Sequence, residues 1–242
     1  MMGSLQDMFR YRMFHKSPGW VKQLAVATLL LSGCAFQAPV FALERSDILL
    51  DIVSNCVAPA RDNYCSLCRV PRNDAGCGAA LECTRNTEVW ALTDRYTVIR
   101  DIKMCGCPSD FIHGLALPTD PVRGVEDPLR PEEIWKFAWD EAIRRIEPES
   151  IALVVNPRLH RSQNQLHVHI LRLAADARGS LEKEAPSYVS SLDHIWATAA
   201  IGAAAKGLDD YGVIVSQRPQ RDFLVVVTAT SPESAFTKWR CD

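Results

Sequence analysis

The sequence predicts an α+β fold in which helices cover one side of an antiparallel sheet. Strand-period segments outnumber helical ones, several fall in adjacent pairs joined by turns, and one strongly amphipathic helix interrupts them. Taken in order, Glu44 to Val57 sets Ile48, Leu49, Ile52 and Val53 on one side and reads as a short helix. Glu88 to Asp101 contains two β-prone runs, Val89 to Leu92 and Tyr96 to Ile99, separated by Thr93-Asp94-Arg95, which predicts a hairpin. Phe111 to Leu117 is a further strand. Pro118, Pro121 and Pro128 then impose an irregular connection, since each removes a backbone donor and restricts its predecessor.

Pro131 suits the first turn of a helix running to Ile146, with Glu132 and Glu133 at its positive end and Arg144 and Arg145 at its negative end. Ile134, Ala138, Ala142 and Ile146 recur at fourfold spacing, flanked by Trp135 and Trp139, so this face is expected in the core. Ile151 to Val155 and Gln165 to Leu173 read as strands, the second by strict apolar–polar alternation. A helix is expected from Ser191 to Gly207, then a strand pair, Tyr211 to Ser216 and Phe223 to Ala229, turning near Pro219.

With 242 residues, 48% hydrophobic and 23% charged, the chain can bury the core of one globular domain, which excludes overall disorder. A net charge of -2 supplies no broad basic field, so nucleic acid is not an expected partner and any phosphate site must be local. Arg10, Arg12, Lys16 and Lys22 precede an apolar stretch from Leu24 to Phe36, the pattern of an export signal. Leu31-Ser32-Gly33-Cys34 is a candidate lipoprotein site with Cys34 as the lipidated residue, Val40-Phe41-Ala42 a candidate signal-peptidase site, and an uncleaved anchor a third outcome. Residues 1–42 are thus read as export signal or anchor and 43–242 as the folded domain, with 43–108 a cysteine-rich N-terminal extension.

Beyond Cys34 an even set of eight cysteines remains: Cys56, Cys65, Cys68, Cys77, Cys83, Cys105, Cys107 and Cys241. In an exported chain this count predicts disulfides. The rival reading, a four-thiolate zinc site from Cys65, Cys68, Cys105 and Cys107, suffers from a Cys-x-Cys spacing too short for an ordinary zinc knuckle.

The chemistry concentrates between Asn156 and Ile170. On a strand, Gln165, His167 and His169 share one face while Leu166, Val168 and Ile170 enter the core. Such a polar row has three readings: a solvated strand, a weak metal set of two imidazoles and an amide, or phosphoryl chemistry by a neutral imidazole. Upstream, Arg158, Arg161, Ser162, Gln163 and Asn164 supply cations, a hydroxyl and amide donors of the kind that stabilise charge on phosphate oxygens. His160 in the same loop is the expected auxiliary among the remaining histidines. His113, in an apolar strand, reads as structural, His194 begins a helix, and His15 lies in the export segment.

Gln-x-His-x-His flanked by apolar residues resembles the histidine triad, with Gln165 where most members of that superfamily place their first histidine. Within it, Asn156, Arg158, Ser162, Gln163, Asn164, His167 and His169 resemble the pattern of the bacterial CDP-diacylglycerol pyrophosphatase family. The likeness runs from about Phe111 to Thr230 through Leu117-Pro118-Thr119, Trp139 and Tyr211-Gly212. It implies a histidine-triad-like antiparallel sheet and hydrolysis of CDP-diacylglycerol to CMP and phosphatidate at a membrane surface, on the periplasmic side of a bacterial inner membrane. His167 would be the nucleophile, and His169 would help neutralise the phosphate. Asn156, Arg158, Arg161, Ser162, Gln163, Asn164 and Gln165 would bind substrate, with no metal and no cofactor. A hydrolase or transferase of soluble nucleotide esters and a non-catalytic exported lipoprotein are the alternatives.

Overall fold

The computed structural model describes residues 47–57 and 87–241. The export segment with Cys34 and both processing sites, His15, and Cys65, Cys68, Cys77 and Cys83 lie outside the described residues. Eight antiparallel strands form a single sheet: β1 (Val89–Leu92), β2 (Tyr96–Arg100), β3 (His113–Pro118), β4 (Ile151–Val155), β5 (Val168–Arg172), β6 (Ser187–Val189), β7 (Gly212–Gln217) and β8 (Phe223–Thr228). Their spatial order is β1-β2-β3-β5-β4-β7-β8-β6. The helices are α1 (Ile48–Asp51, continued by a π-helical turn Ile52–Cys56), α2 (Ile134–Ala142), α3 (Ala177–Lys183), α4 (Ile195–Ala205) and α5 (Pro232–Phe236). The α+β class is as expected.

Helices cover both faces of the sheet, which corrects the expectation of one covered side. On the first face α2 and α4 pack over Val98, Ala116, Leu153, Val168, Ile170 and Val215, forming the main core. The fourfold stripe is fully inside, with Ile134, Ala138 and Ala142 at 0% exposure. Trp135 stacks against Trp196 at 4.7 Å and Trp139 meets Phe223 edge-on, so the tryptophans are core as expected. α2 is shorter than the predicted Pro131 to Ile146 because both ends relax into turns, and α4 starts only after His194. α4 ends two residues before Gly207, whose φ of +66° is the left-handed stop that glycine adopts freely.

The second face carries two separate apolar patches. Over β4, β7 and β8, α3 and α5 cover Ala152, Val154, Ile214, Leu224 and Val226. Over β2 and β3, α1 brings Leu49 and Val53 against Ile99, Leu115 and Leu117. Neither α3 nor α5 was anticipated. Each is short, and five to seven residues carry too little periodicity to stand out. Between the two patches the face is polar: Leu115 pairs with His169 and His113 with Leu171 across β3 and β5, placing two imidazoles in the gap.

A disulfide joins Cys107 to Cys241, 134 residues apart. Cys56 and Cys105 are also disulfide-bonded. Among the described residues no helix is long and apolar enough to cross a membrane.

Candidate active site

β5 begins at Val168, three residues later than the alternation suggested, and the reason is the side chain of Gln165. Its amide nitrogen donates to the carbonyls of Pro118 and Asp120, at 3.1 and 2.8 Å, and its carbonyl accepts from the Val122 backbone N–H at 3.2 Å. These bonds tie the proline-rich connection to the chain just before β5. Gln165 thus sits in the expected row, but its amide is spent on backbone groups and holds the loop rather than facing a ligand.

His167 follows at once. Its Nδ1 lies 2.8 Å from the Gln165 backbone oxygen, an acceptor, so Nδ1 carries the proton and Nε2 keeps its lone pair. The ring lines a cavity of about 820 Å³ shared with His169, Ser162, Gln163, Asp101 and Lys103. Burial pushes its pKa down despite the Gln165 carbonyl and the nearby Glu233 and Asp101 carboxylates, which oppose the shift. The imidazole is therefore neutral near pH 7, the form that can attack phosphorus.

His169 is packed edge-on to His167, ring centroids 4.8 Å apart. Its Nδ1 meets His113 Nε2 at 2.9 Å, and its Nε2 faces Asn156 Nδ2 at 3.5 Å and Glu233 Oε2 at 3.7 Å. Burial, followed by the neighbouring His167, His113 and Lys103, pushes its pKa well below the ordinary histidine value. A ring held neutral in this way can offer hydrogen bonds, and Lys103 brings an ammonium group to the same cavity. The Lys103 ammonium donates to Glu233 Oε1 at 2.8 Å, and its side chain keeps 40% of its exposure.

Behind the row lies a polar network the sequence did not disclose. His113, wholly buried, is pushed down to about 3 by burial first and by Lys103 next, and lies 3.4 Å from Asp101. Glu233 on α5 accepts from Asn156 Nδ2 at 2.6 Å as well as from Lys103. Burial alone would raise its carboxyl, but Lys103, His113 and Asn156 together hold it below the usual carboxylate range. Asp101 behaves oppositely: burial raises it, outweighing the Lys103 backbone N–H and ammonium. Asn156 completes the set by accepting from Ser231 Oγ at 2.8 Å.

The approach of α5 to the end of β4 depends on Gly212. A Cβ there would stand 2.6 Å from Pro232 Cδ, 2.8 Å from Pro157 Cδ and 2.9 Å from the Val155 oxygen.

The remaining loop residues divide. Ser162, exposed, and Gln163 line the cavity beside His167. Gln163 accepts from the Leu49 backbone N–H and Asn164 donates to Asp47, so both also anchor α1. Arg161 is buried, forks onto the Glu126 carboxylate and donates to the Gln163 carbonyl, which makes it a brace of the loop. Arg158 and His160 sit on an exposed 3₁₀ turn whose backbone is capped by Asp210, and neither lines the cavity. The histidine that joins the row is thus His113, not His160, a reversal of the sequence expectation. No local signal marked it, because the β3–β5 pairing that brings it to His169 spans 56 residues.

Asp101, His113 and His169 offer ligand atoms within 4.8 Å of one another, and two imidazoles with a carboxylate can hold a divalent metal. Here His113 Nε2 lies 2.9 Å from His169 Nδ1 and 3.4 Å from Asp101 Oδ2, and Lys103 reaches Glu233 beside them.

The family model described as CDP-diacylglycerol pyrophosphatase matches residues 45–204. The match begins well before Phe111, where the sequence likeness starts, so it takes in the cysteine-rich stretch, and it ends before β7 and α5, so Glu233 lies beyond it.

Proposed function

Because the chain belongs to the CDP-diacylglycerol pyrophosphatase family and is a hydrolase of that class, we propose that it cleaves CDP-diacylglycerol through a covalent nucleotidyl-histidine on His167. One observation carries this reading: His167 Nδ1 is committed to the Gln165 carbonyl while the ring borders the cavity, leaving Nε2 as the free nitrogen. Nε2 attacks the phosphorus of the cytidylyl group, the anhydride P–O bond breaks, and phosphatidate leaves with the bonding electrons. The Gln165 carbonyl, accepting from Nδ1–H, stabilises the positive charge the ring acquires. Water then attacks the same phosphorus, releasing CMP and a proton and restoring the imidazole.

Lys103 offsets charge on the nonbridging oxygens, Ser162 and Gln163 offer them hydrogen bonds, and neutral His169 adds a further polar contact. The Gln-x-His-x-His row, an antiparallel sheet and a nucleophile at its middle position support kinship with the histidine-triad superfamily. The basic N-terminus followed by the apolar stretch from Leu24 to Phe36, together with the disulfides, supports export to the periplasmic side, with anchoring at the membrane where the lipid resides.

The test is a denaturing quench during turnover of CDP-diacylglycerol labelled in the cytidine. A label retained on the peptide containing His167, and lost in His167→Ala, is the expected result. Turnover without any covalent label refutes the nucleophile. Preference for soluble nucleotide esters over the lipid would point to a different substrate class.

A further inference from the structure

The cavity beside His167 has two unlike sides. One is polar and comes from the catalytic loop and Lys103; the other is aliphatic, built by Ile48, Leu49 and Ile52 of the N-terminal helical segment together with Ile99, Ile102 and Leu115. Ile48 and Ile102 stand 60% and 64% exposed on that side. Aliphatic groups left in water at a cavity mouth are stabilised by whatever apolar surface covers them. Asp47, Asp51, Thr87 and Arg100 also border the cavity, but the six aliphatic side chains make up this side, and among the described residues no phenyl, phenol or indole ring lines it on which a base would stack. It suits methylenes.

The wall is also fixed relative to the nucleophile. Leu49 N–H donates to Gln163 and Asp47 accepts from Asn164, so the loop that precedes His167 pins α1 in place. Leu49 and Val53 meanwhile pack onto Ile99, Leu115 and Leu117 of the sheet.

We propose that this wall is the diacylglycerol subsite of the reaction, receiving the first methylenes of the acyl chains of the phosphatidyl leaving group while the diphosphate lies against His167. The inference rests on the lipid-substrate reading above and assigns the N-terminal helical segment a part in substrate selection. The chain end of a substrate so bound leaves past Ile48 and Ile102 toward the membrane.

The experiment compares CDP-glycerol with CDP-dibutyroyl- and CDP-dihexanoyl-glycerol, each below its critical micelle concentration, on the full chain and on Ile48→Ser/Ile102→Ser. In the native chain kcat/KM rises about fourfold for each methylene buried, over the first few carbons. In the variant the ratio of dihexanoyl ester to CDP-glycerol falls by about tenfold or more. An unchanged ratio overturns the subsite. So does a chain-length preference that appears only once micelles or vesicles form, since the isoleucines would then be docking on the bilayer. Calorimetric binding of the same esters to His167→Ala gives the ratio without turnover. The subsite is thereby judged even if the native chain hydrolyses none of the esters, an outcome that refutes the parent reading alone.

Discussion

Replacing Glu233 by glutamine removes one charge from the centre of the buried network while keeping its shape. The carboxylate accepts two charge-assisted bonds, from Asn156 at 2.6 Å and from Lys103 at 2.8 Å. Glutamine offers a single acceptor, so its NH₂ must face either the Lys103 ammonium or the Asn156 amide, donor against donor. Asn156 cannot flip freely to relieve this, because its Oδ1 already accepts from Ser231. A hydrogen bond to a charged group contributes about 1.5–3 kcal/mol. The Lys103 share is discounted because its side chain is 40% exposed and solvent screens it. The expected loss is therefore about 2–3 kcal/mol, or roughly 5–10 °C in Tm for a domain of this size. Since Glu233 also faces His169, kcat/KM on CDP-diacylglycerol should fall by about tenfold or more. Urea denaturation at pH 7.5, paired with turnover in detergent micelles, measures both. An Asn156→Ala double-mutant cycle should show coupling of about 1 kcal/mol or more. Stability within about 0.5 kcal/mol of the parent together with unaltered turnover would mean that water, not this network, satisfies the carboxylate.

The other predictions concern the nucleophile, pH, the bridge and the close approach of α5. His167→Ala should abolish turnover while lowering stability by only about 1–2 kcal/mol, since the ring makes one backbone hydrogen bond and borders a cavity; a loss like that of a core aromatic, in thermal unfolding, would contradict a catalytic placement. His113, His167 and His169 all have pKa values below that of an unfolded histidine, so below about pH 6.5 the unfolded chain binds more protons than the folded one. Stability should accordingly be level above about pH 7 and fall as pH drops from there toward the folded values, with a limiting slope of about 4 kcal/mol per pH unit for three protons. Equilibrium urea unfolding across pH 4–8 checks the sign, and a flat profile would contradict it. Cys107→Ser/Cys241→Ser should cost about 3–5 kcal/mol, because the bridge closes a loop of 134 residues, and denaturation under non-reducing conditions reads the difference. Gly212→Ala places a methyl group against Pro232, Pro157 and the Val155 carbonyl, so it should destabilise by about 1–3 kcal/mol and reduce turnover by displacing Glu233.

Much of the scaffold was legible in local pattern. The β1–β2 hairpin, the β7–β8 pair and the apolar stripe of α2 follow from periodicity and turn residues, which act over a few positions. α3, β6 and α5 escaped notice because three to seven residues hold too few repeats of any period. The site divided similarly. His167 and His169 stand out as polar positions in an alternating strand, and Ser162 and Gln163 lie close enough upstream to reach the same cavity. Arg158 and Arg161 looked equivalent as cations, yet one points to solvent and the other is matched to Glu126 from a distant turn.

The sequence by itself determined which imidazole stands at the middle of the row, because strand alternation and the neighbouring polar loop are properties of contiguous residues. Only the tertiary structure decided its company. His113, Asp101, Lys103 and Glu233 reach the row from three other segments, Glu233 from 64 residues beyond His169 in the chain. Strand pairing and helix docking bring such residues together through packing over long sequence separations, and no local pattern encodes those contacts.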